Sequence, residues 1–353
     1  MLHCILGGCG TGKSTRLMEQ LRSSLENGRR AITIVPEQFS FEAEKKLYGF
    51  LGAQLFNRLQ TCSFVTLSRT ILQEFGTTAQ NAGYASEQEK LLFLYQAVQQ
   101  CAQQKELFLM ERRAQSADFV TSLYSMITKL RKASVTGERL SEVSAQFPDV
   151  LGDKTHDLSR ILLAYDRILR EHGKHDSLVD LTEAAALAEM QYYFEGADVF
   201  LDEYDSFTGD QYRMLDVILK QADTVTAAIR ADDPEERPSG IFVGGNTTYQ
   251  NLRNCAEDNG IGADYEYCRD YVRSVHPELI AAGCGKLRQT PGSVPFAGHI
   301  QLAEAADPVM EAEYIGAEIC RLLQEGNCKC SDIVVAVKAP EVYFPLLDRA
   351  FRR

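Results

Sequence analysis

The 353-residue chain lacks any apolar run long enough to cross a bilayer as a helix. It also lacks a basic N-terminal region followed by a signal-peptide core, because the first apolar strand begins at residue 2. These two absences predict a cytoplasmic protein. Hydrophobic residues nevertheless make up 45% of the chain, which is enough for two or three cores.

Paired cysteines and an excess of positive charge are missing as well. Ten cysteines are scattered along the chain without CxxC spacing, and only Cys328 and Cys330 lie close together. We interpret all ten as reduced thiols. The formal net charge is −12. That charge balance disfavours indiscriminate adhesion to nucleic acid, although it does not exclude a local basic channel.

The first motif in the chain is a phosphate-binding loop. Residues 7–14 fit the pattern G-x-x-x-x-G-K-[ST]. Glycines let backbone N–H groups surround phosphate oxygens, Lys13 supplies a charge to the β- and γ-phosphates, and Ser14 can ligate Mg²⁺. Apolar residues then recur with helical spacing, so a helix N-terminus should face the anion. The predicted nucleotide-binding residues are Gly7, Gly8, Cys9, Gly10, Thr11, Gly12, Lys13, Ser14 and Thr15.

A second motif supplies the carboxylates that a P-loop requires on a neighbouring strand. Residues 199–201 are apolar and suit a parallel strand that is buried on both faces. Asp202 and Glu203 follow where such a strand would emerge. We predict that Asp202 and Ser14 hold Mg²⁺ and that Glu203 is the general base. Alone, this pattern is also typical of a solvated strand end; with the P-loop, it predicts NTP hydrolysis.

The interval between the two motifs is much longer than in compact P-loop kinases. Its first part reads as α/β, with a strand over 31–35, a helix over 41–51 and a further strand over 62–67. From Ser86 onward the pattern is helical and begins with a capping box. The interval therefore predicts a large helical insertion in a P-loop domain.

Several segments resemble the AddB subunit of the bacterial AddAB helicase-nuclease, whose front half is similar to superfamily 1 DNA helicases. The P-loop lies almost at the first residue, and the segment after the second strand contains the sequence VPEQ, which is the most specific feature. The segments that carry the resemblance are Ile34–Glu44, Asp176–Leu181, Phe200–Thr208, Glu311–Leu323 and Asp332–Val337. The last two resemble the helix, over 311–323, and the strand, over 333–337, that open the second RecA-like lobe of the family.

The resemblance implies an α/β fold in which a P-loop, RecA-like helicase domain with a parallel sheet carries a helical insertion and is followed by a second RecA-like lobe. The expected RecA-like domain covers 1–77 and 191–235, and the insertion covers 78–190. An irregular connecting region is expected over 236–296. The start of the second, truncated lobe is expected over 297–353.

The same resemblance places the loops after the second and third strands along single-stranded DNA. Phe39, beside Gln38, and Phe64 would stack on bases, whereas Ser68 and Arg69 would hold phosphate. A simpler interpretation is that Phe39 packs beneath its helix and that Arg69 is a solvated charge.

The resemblance also implies cofactors and partners. ATP and Mg²⁺ would be bound here, and the partners would be an AddA-like helicase-nuclease subunit and single- and double-stranded DNA ends, processed for recombinational repair. The nuclease domain and the iron–sulfur cysteines of the family would lie beyond residue 353. The chain would then be an N-terminal fragment whose own cysteines hold no cluster.

Departures from the helicase pattern leave alternatives open. No glutamine precedes the P-loop, where superfamily 1 helicases commonly read adenine, and residues 225–233 lack the usual glutamine of the coupling motif. A transition-state arginine from the second lobe is not identifiable. The alternatives are a small-molecule P-loop kinase or another NTPase, and a DNA-scanning scaffold with a vestigial nucleotide site. The long insertion disfavours the kinase, and the intact motifs disfavour the vestigial site.

Overall fold

A sheet of six parallel strands is the centre of the part of the chain that the structure describes. The computed structural model describes residues 1–76, 83–114, 116–235, 240–283, 298–326 and 328–352. The strands are β1 (Leu2–Gly7), β2 (Arg30–Ile34), β3 (Leu59–Cys62), β4 (Gly83–Tyr84), β5 (Lys174–His175), β6 (Ala197–Tyr204), β7 (Thr224–Arg230) and β8 (Ala263–Cys268). The main sheet has the order β3-β2-β6-β7-β1-β8, and β4 pairs with β5 in a separate short ladder.

Up to Gly283, the α-helices of the described residues lie on both faces of this sheet and in a cluster beyond it, and two further helices follow in a separate unit. None of them is both long and apolar enough to cross a membrane. They are α1 (Lys13–Glu26), α2 (Ser40–Phe56), α3 (Phe64–Phe75), α4 (Glu87–Gln103), α5 (Ala117–Lys132), α6 (Gly137–Ser144), α7 (Val150–Glu171), α8 (Asp180–Gln191), α9 (Gly209–Gln221), α10 (Val243–Asp258), α11 (Pro277–Gly283), α12 (Pro308–Gln324) and α13 (Pro340–Phe351).

The central strands of the main sheet are buried on both faces because helices cover each side of the sheet. In β1, Leu2, Cys4 and Leu6 pack into the core formed with α3, α8, α9 and α10. Ile5 points to the opposite face and packs into the core formed with α1 and α2. Near-continuous apolar strands are typical of such doubly covered parallel sheets.

The parallel arrangement brings several chain segments to one edge of the sheet. Strand β1 lies between β7 and β8, and its last residue, Gly7, is in register with Arg230 and Cys268. Strand β6 lies on the other side of β7. The carboxyl ends of β1, β6, β7 and β8 therefore meet at one edge, where open α/β sheets bind ligands.

The predicted elements near the N-terminus are mostly confirmed, with one error. The strand over 31–35 corresponds to β2, and the helix over 41–51 lies inside α2. The strand expected over 62–67 is wrong, because β3 ends at Cys62 and α3 begins at Phe64. Ser63 caps α3 by accepting a hydrogen bond from the backbone N–H of Thr66 at 3.2 Å. This cap overrides the β propensity of the apolar residues that follow.

Helices α4 to α7 enclose a second core that is separate from the sheet. The predicted capping box is confirmed: the Ser86 N–H donates to Glu89 Oε2 at 2.8 Å, and the Glu89 N–H donates to Ser86 Oγ at 3.3 Å. The apolar faces of α5 and α7 pack into this core, which includes Leu123, Ile127 and Leu162.

The region expected to be irregular over 236–296 contains regular structure, so that expectation is wrong where the structure describes it. Helix α10 packs on the sheet through Tyr249 and Leu252. Strand β8 pairs with β1 along its full length. Its polar sequence carries no apolar-run signal, because an edge strand is covered on fewer sides than a central one.

Residues 294–353 form a second compact unit. Asp307 caps α12 by accepting hydrogen bonds from the N–H groups of Val309 and Met310, both at 2.9 Å, and the helix predicted over 311–323 is confirmed inside α12. The strand expected over 333–337 is wrong. Those residues form no ladder with any described residue, and Val334 is 88% exposed. An apolar β-branched run becomes a strand only where another strand pairs with it.

Candidate nucleotide site

The loop between β1 and α1 requires glycine at two of its turns. Gly10 has a φ of 81° and Gly12, which precedes α1, has a φ of 85°. This left-handed backbone is costly for residues with a Cβ atom. A Cβ on Gly10 would also lie 2.9 Å from the Cβ of Arg273. Gly10 and Gly12 therefore permit a tight loop, and the backbone N–H groups of this loop lie directly before the N-terminus of α1.

Lys13 lies back across this loop. Its Nζ donates to the carbonyl oxygen of Gly8 at 2.7 Å, and the same oxygen accepts from Thr11 Oγ1 at 3.0 Å. Burial lowers the pKa of Lys13, and the nearby charge of Arg230 lowers it further, whereas Asp202 opposes the change. The ammonium group is thus half-buried and held at the mouth of the loop.

A β-bulge presents the two acidic residues of β6. Leu201 is in register with Ala227 of β7, and Tyr204 is in register with Ile229, so two residues of β6 face one residue of β7. The extra residue bends the strand and re-aims its side chains. Glu203 has a φ of 64°, a left-handed backbone that costs about 1 kcal/mol for a residue with a side chain. Such strain is often retained at functional sites.

Asp202 and Ser14 lie together in the site. Asp202 Oδ1 accepts from Ser14 Oγ at 3.1 Å and from the backbone N–H of Glu203 at 2.9 Å. Burial raises the pKa of Asp202, and the Glu203 carboxylate raises it further, although the bond from Ser14 acts in the other direction. A carboxylate and a hydroxyl oxygen at this spacing fit Mg²⁺, which prefers oxygen ligands and keeps several waters.

One cavity of about 530 Å³ joins these groups at the carboxyl edge of the sheet. Cavities of this size hold small-molecule ligands and cofactors. The predicted residues that line it are Cys9, Gly10, Gly12, Lys13, Ser14, Thr15, Asp202 and Glu203. The two motifs that the sequence separates widely therefore lie on a single cavity.

Three basic residues of this cavity were missed by the sequence analysis. Lys46 of α2, Arg230 at the end of β7 and Arg273 after β8 line the same space. The sequence does contain a signal for Arg230, because it directly follows residues 225–229 in the segment that would carry the coupling motif of the helicases. Arg273 had none, since β8 itself was not predicted.

The segment after β8 lies against the P-loop. The backbone N–H groups of Val272 and Arg273 donate to the carbonyl oxygen of Gly10 at 2.9 and 3.1 Å. The base of this segment is held by an ion pair between Arg269 and Asp233, of which Asp233 is only 3% exposed. Val272 and Arg273, at the end of this segment, thus line the same cavity as the P-loop.

The predicted DNA-contacting residues are divided between surface and interior. Gln38 and Phe39 lie in an exposed 3₁₀ turn over Glu37–Phe39, and Arg69 is exposed on α3. Phe39 is 38% exposed and also lines the nucleotide cavity. These three side chains are accessible to a ligand.

Ser68 and Phe64 are placed differently from the prediction. Ser68 is 1% exposed, and its hydroxyl donates to the carbonyl oxygen of Val65 at 2.9 Å, so it is not open to a phosphate. Phe64 is 3% exposed and packs edge-on against Tyr204 and Phe207, so it cannot stack on a base. Both residues stabilise α3 against the sheet because they lie on its buried face.

Comparison with known proteins identifies relatives of this chain. The family model described as "ADDB, N-terminal" matches residues 4–281. A protein of Clostridium acetobutylicum, named as the B subunit of an ATP-dependent helicase/deoxyribonuclease, is 27% identical over 343 residues, which cover 95% of this chain and 29% of that protein. Proteins of the same name from Caldanaerobacter subterraneus and Anoxybacillus flavithermus are 26% and 28% identical, over 99% and 98% of this chain. The chain spans about 31% of the length of each of these two relatives.

Proposed function

Because the chain belongs to the ADDB N-terminal family, we propose that it is the ATP-binding, helicase-like front part of a protein that processes broken DNA ends. The proposal is carried by one observation: Lys13, Ser14, Asp202 and Glu203 line a single cavity. The relatives' name, which describes an ATP-dependent helicase/deoxyribonuclease, supports ATP as the nucleotide.

In the proposed site, a RecA-like P-loop domain holds the triphosphate. The amides at the N-terminus of α1 bind phosphate oxygens, and Lys13 exchanges its contact with Gly8 for the β- and γ-phosphates. Asp202 and Ser14 would hold Mg²⁺. The bound ion would neutralise charge on the phosphates. The bounds 1–77 and 191–235 for this domain and 78–190 for the insertion are retained as part of this proposal, and α10 and β8, which pack on or pair with the sheet, are added to the domain.

Glu203 is the proposed general base for the attacking water. It is exposed, next to Asp202, and the bulge in β6 places it on the wall of the cavity. A carboxylate in that position can orient a water and accept its proton. Asp202, by contrast, is already hydrogen-bonded to Ser14 before any reaction begins. In this proposal Asp202 therefore holds the metal ion, and Glu203 accepts the proton.

Single-stranded DNA is the proposed ligand of the surface beside the nucleotide. Gln38, Phe39 and Arg69 are the residues proposed to contact it, since an exposed ring can stack on a base and an exposed guanidinium can bind phosphate. Phe39 also lines the nucleotide cavity, which gives a direct physical link between the two ligands. In the full-length assembly, an AddA-like protein would be the partner, and the iron–sulfur cluster would lie in a later part of the polypeptide.

Substitution of Lys13 tests the nucleotide site. We expect titration calorimetry to detect Mg²⁺-dependent binding of a slowly hydrolysed ATP analogue by the wild type and none by Lys13→Ala. Lys220→Ala is the matched control, because Lys220 is an exposed lysine on α9 that pairs with Asp216 at 2.7 Å, outside the cavity. Equal affinity in wild type and Lys13→Ala, with unchanged thermal unfolding, would contradict the proposal.

A further inference from the structure

Arg230 lines the same cavity as Lys13 and the P-loop. It is the last residue of β7, which separates β1 from β6, and it is in register with Gly7. Strand β7 thus ends between the P-loop on one side and Asp202 on the other. Among the described strands of the main sheet, no other lies between the two motifs.

The guanidinium of Arg230 rests on the P-loop itself. Its Nη1 lies 3.7 Å from the Sγ of Cys9, and its Nη2 donates to Oδ1 of Asp205 at 2.8 Å. The side chains of Arg230 and Asp205 are 45% and 71% exposed, so this ion pair is solvated and weak. The arginine can therefore exchange Asp205 for a better anion at little cost.

The position of Arg230 along the nucleotide follows from its neighbours. The lysine of a P-loop reaches the β- and γ-phosphates, and Lys13 Nζ lies on the carbonyl of Gly8, one residue before Cys9. Asp202 and Glu203, which would act at the γ-phosphate, line the same cavity as Arg230, and the next residue of β6, Tyr204, is in register with Ile229 beside Arg230. The opposite side of the phosphate chain would face the amides of Ser14 and Thr15 at the helix N-terminus.

We propose that Arg230 binds the terminal phosphate of a nucleoside triphosphate and thereby distinguishes it from the diphosphate. The proposal rests on the nucleotide site proposed above and adds to it a cation from the same lobe as the P-loop. A planar guanidinium suits phosphate because it donates two parallel hydrogen bonds. On binding, Arg230 leaves Asp205, whose own backbone carbonyl accepts a hydrogen bond at 2.8 Å from Thr248 of α10.

The expected effect is selective for the triphosphate. Loss of a charge-assisted hydrogen bond to phosphate weakens binding by about 10- to 100-fold. Arg230→Gln should therefore weaken the binding of the ATP analogue by that factor. Its affinity for ADP should stay within about threefold of the wild-type value, because ADP lacks the phosphate that Arg230 contacts. Arg230→Lys keeps the charge without the two-pronged geometry and should fall between the wild type and the glutamine variant.

The test is calorimetric titration of the 353-residue chain with ATPγS and with ADP, both with Mg²⁺, for the wild type, Arg230→Gln and Arg230→Lys. Arg253→Gln is the matched control, since Arg253 is 48% exposed and pairs with Glu257 at 2.6 Å on α10, away from the cavity. Thermal unfolding of each unliganded variant reports whether it is folded.

The proposal is supported if Arg230→Gln loses more affinity for ATPγS than for ADP while the affinities of Arg253→Gln equal those of the wild type. An equal loss for both nucleotides, or no loss for either, overturns it while the proposed nucleotide site stands. If Arg230→Gln fails to fold, the same comparison in Arg230→Lys decides: affinities for both nucleotides that match those of the wild type overturn the proposal. A wild type that binds neither nucleotide overturns the site and the inference together.

Discussion

Two aspartates on β6 lie four residues apart and have opposite surroundings. Asp198, near the start of the strand, is 4% exposed. Its carboxylate accepts from Ser24 Oγ at 2.6 Å and from Thr224 Oγ1 at 2.7 Å, and it pairs with Arg29 Nε at 2.7 Å. Both oxygens are engaged by the protein, so this carboxylate is part of the packing of the sheet.

Asp202, near the other end of the same strand, lines the cavity that also contains Lys13 and Ser14. Its two donors, Ser14 and the N–H of Glu203, both reach a single oxygen, Oδ1. The Ser14 contact, at 3.1 Å, is longer than any contact of Asp198. A carboxylate that the protein leaves partly satisfied can take a further ligand. Saturation with partners, and not burial alone, therefore separates Asp198 from Asp202, the acid proposed to bind Mg²⁺.

The largest expected effect is on ATP turnover, at Glu203 near the end of β6. In the full-length assembly, Glu203→Gln should reduce ATP hydrolysis by about 10²- to 10⁴-fold while nucleotide affinity stays the same. Glutamine keeps the size of the side chain but cannot accept a proton. Steady-state hydrolysis and equilibrium binding measured on the same preparation separate the two effects.

This experiment requires an assembly in which the partner's own ATP site is disabled, because turnover at that site would mask the change. If the wild-type Glu203 assembly shows no turnover in that background, the scanning-scaffold interpretation replaces the motor interpretation. If Glu203→Gln loses affinity as strongly as turnover, Glu203 belongs to the ground-state contacts and the division of tasks between the two acids is wrong.

The next largest expected effect is on stability, at Asp198 near the start of β6. Asp198→Asn should lower the free energy of unfolding by about 2 to 3 kcal/mol, because the substitution removes a charge that pairs with Arg29 and leaves hydroxyl donors poorly matched. Urea titration measures the loss. Nucleotide affinity should not change, since Asp198 lies outside the cavity that holds Lys13. If Asp198→Asn is as stable as the wild type, Asp198 does not have the structural role inferred from its contacts.

The sequence predicts the parts of the fold that depend on local patterns. The P-loop, the strand that carries Asp202 and the capped start of α4 all follow from short motifs, and the structure contains the expected strands and helices there. Strand β8 could not be predicted, because its only strand partner among the described residues is β1, about 260 residues earlier in the chain. The expected strand over 333–337 shows the converse, an apolar run that finds no partner strand in the part of the chain that the structure describes.

The candidate site follows the same division. Lys13, Ser14, Asp202 and Glu203 were predicted from motifs, and their common cavity agrees with that expectation. Arg273 was missed because it follows β8, whose pairing with β1 depends on sheet topology and leaves no local signal in the sequence. Arg230 was missed although the apolar residues before it are a local signal, because its neighbourhood to the P-loop also depends on the pairing of β7 with β1.

The smallest expected effect, that of Asp202→Asn on stability, is opposite in sign to the effect expected for Asp198→Asn. In the presence of a chelator and without nucleotide, Asp202→Asn should raise the free energy of unfolding at neutral pH by about 1 kcal/mol, because it removes a charge that burial and Glu203 disfavour. The pKa of Asp202 is raised in the folded protein, so the stability it contributes is fully present below the unfolded value and is lost as pH rises through the folded one. The advantage of asparagine over wild type should therefore be smallest near pH 4 and grow toward pH 7, as followed by thermal unfolding at several pH values. An advantage that is the same at every pH, or a destabilisation like that of Asp198→Asn, would mean that Asp202 is a structural acid and that the two ends of β6 do not differ.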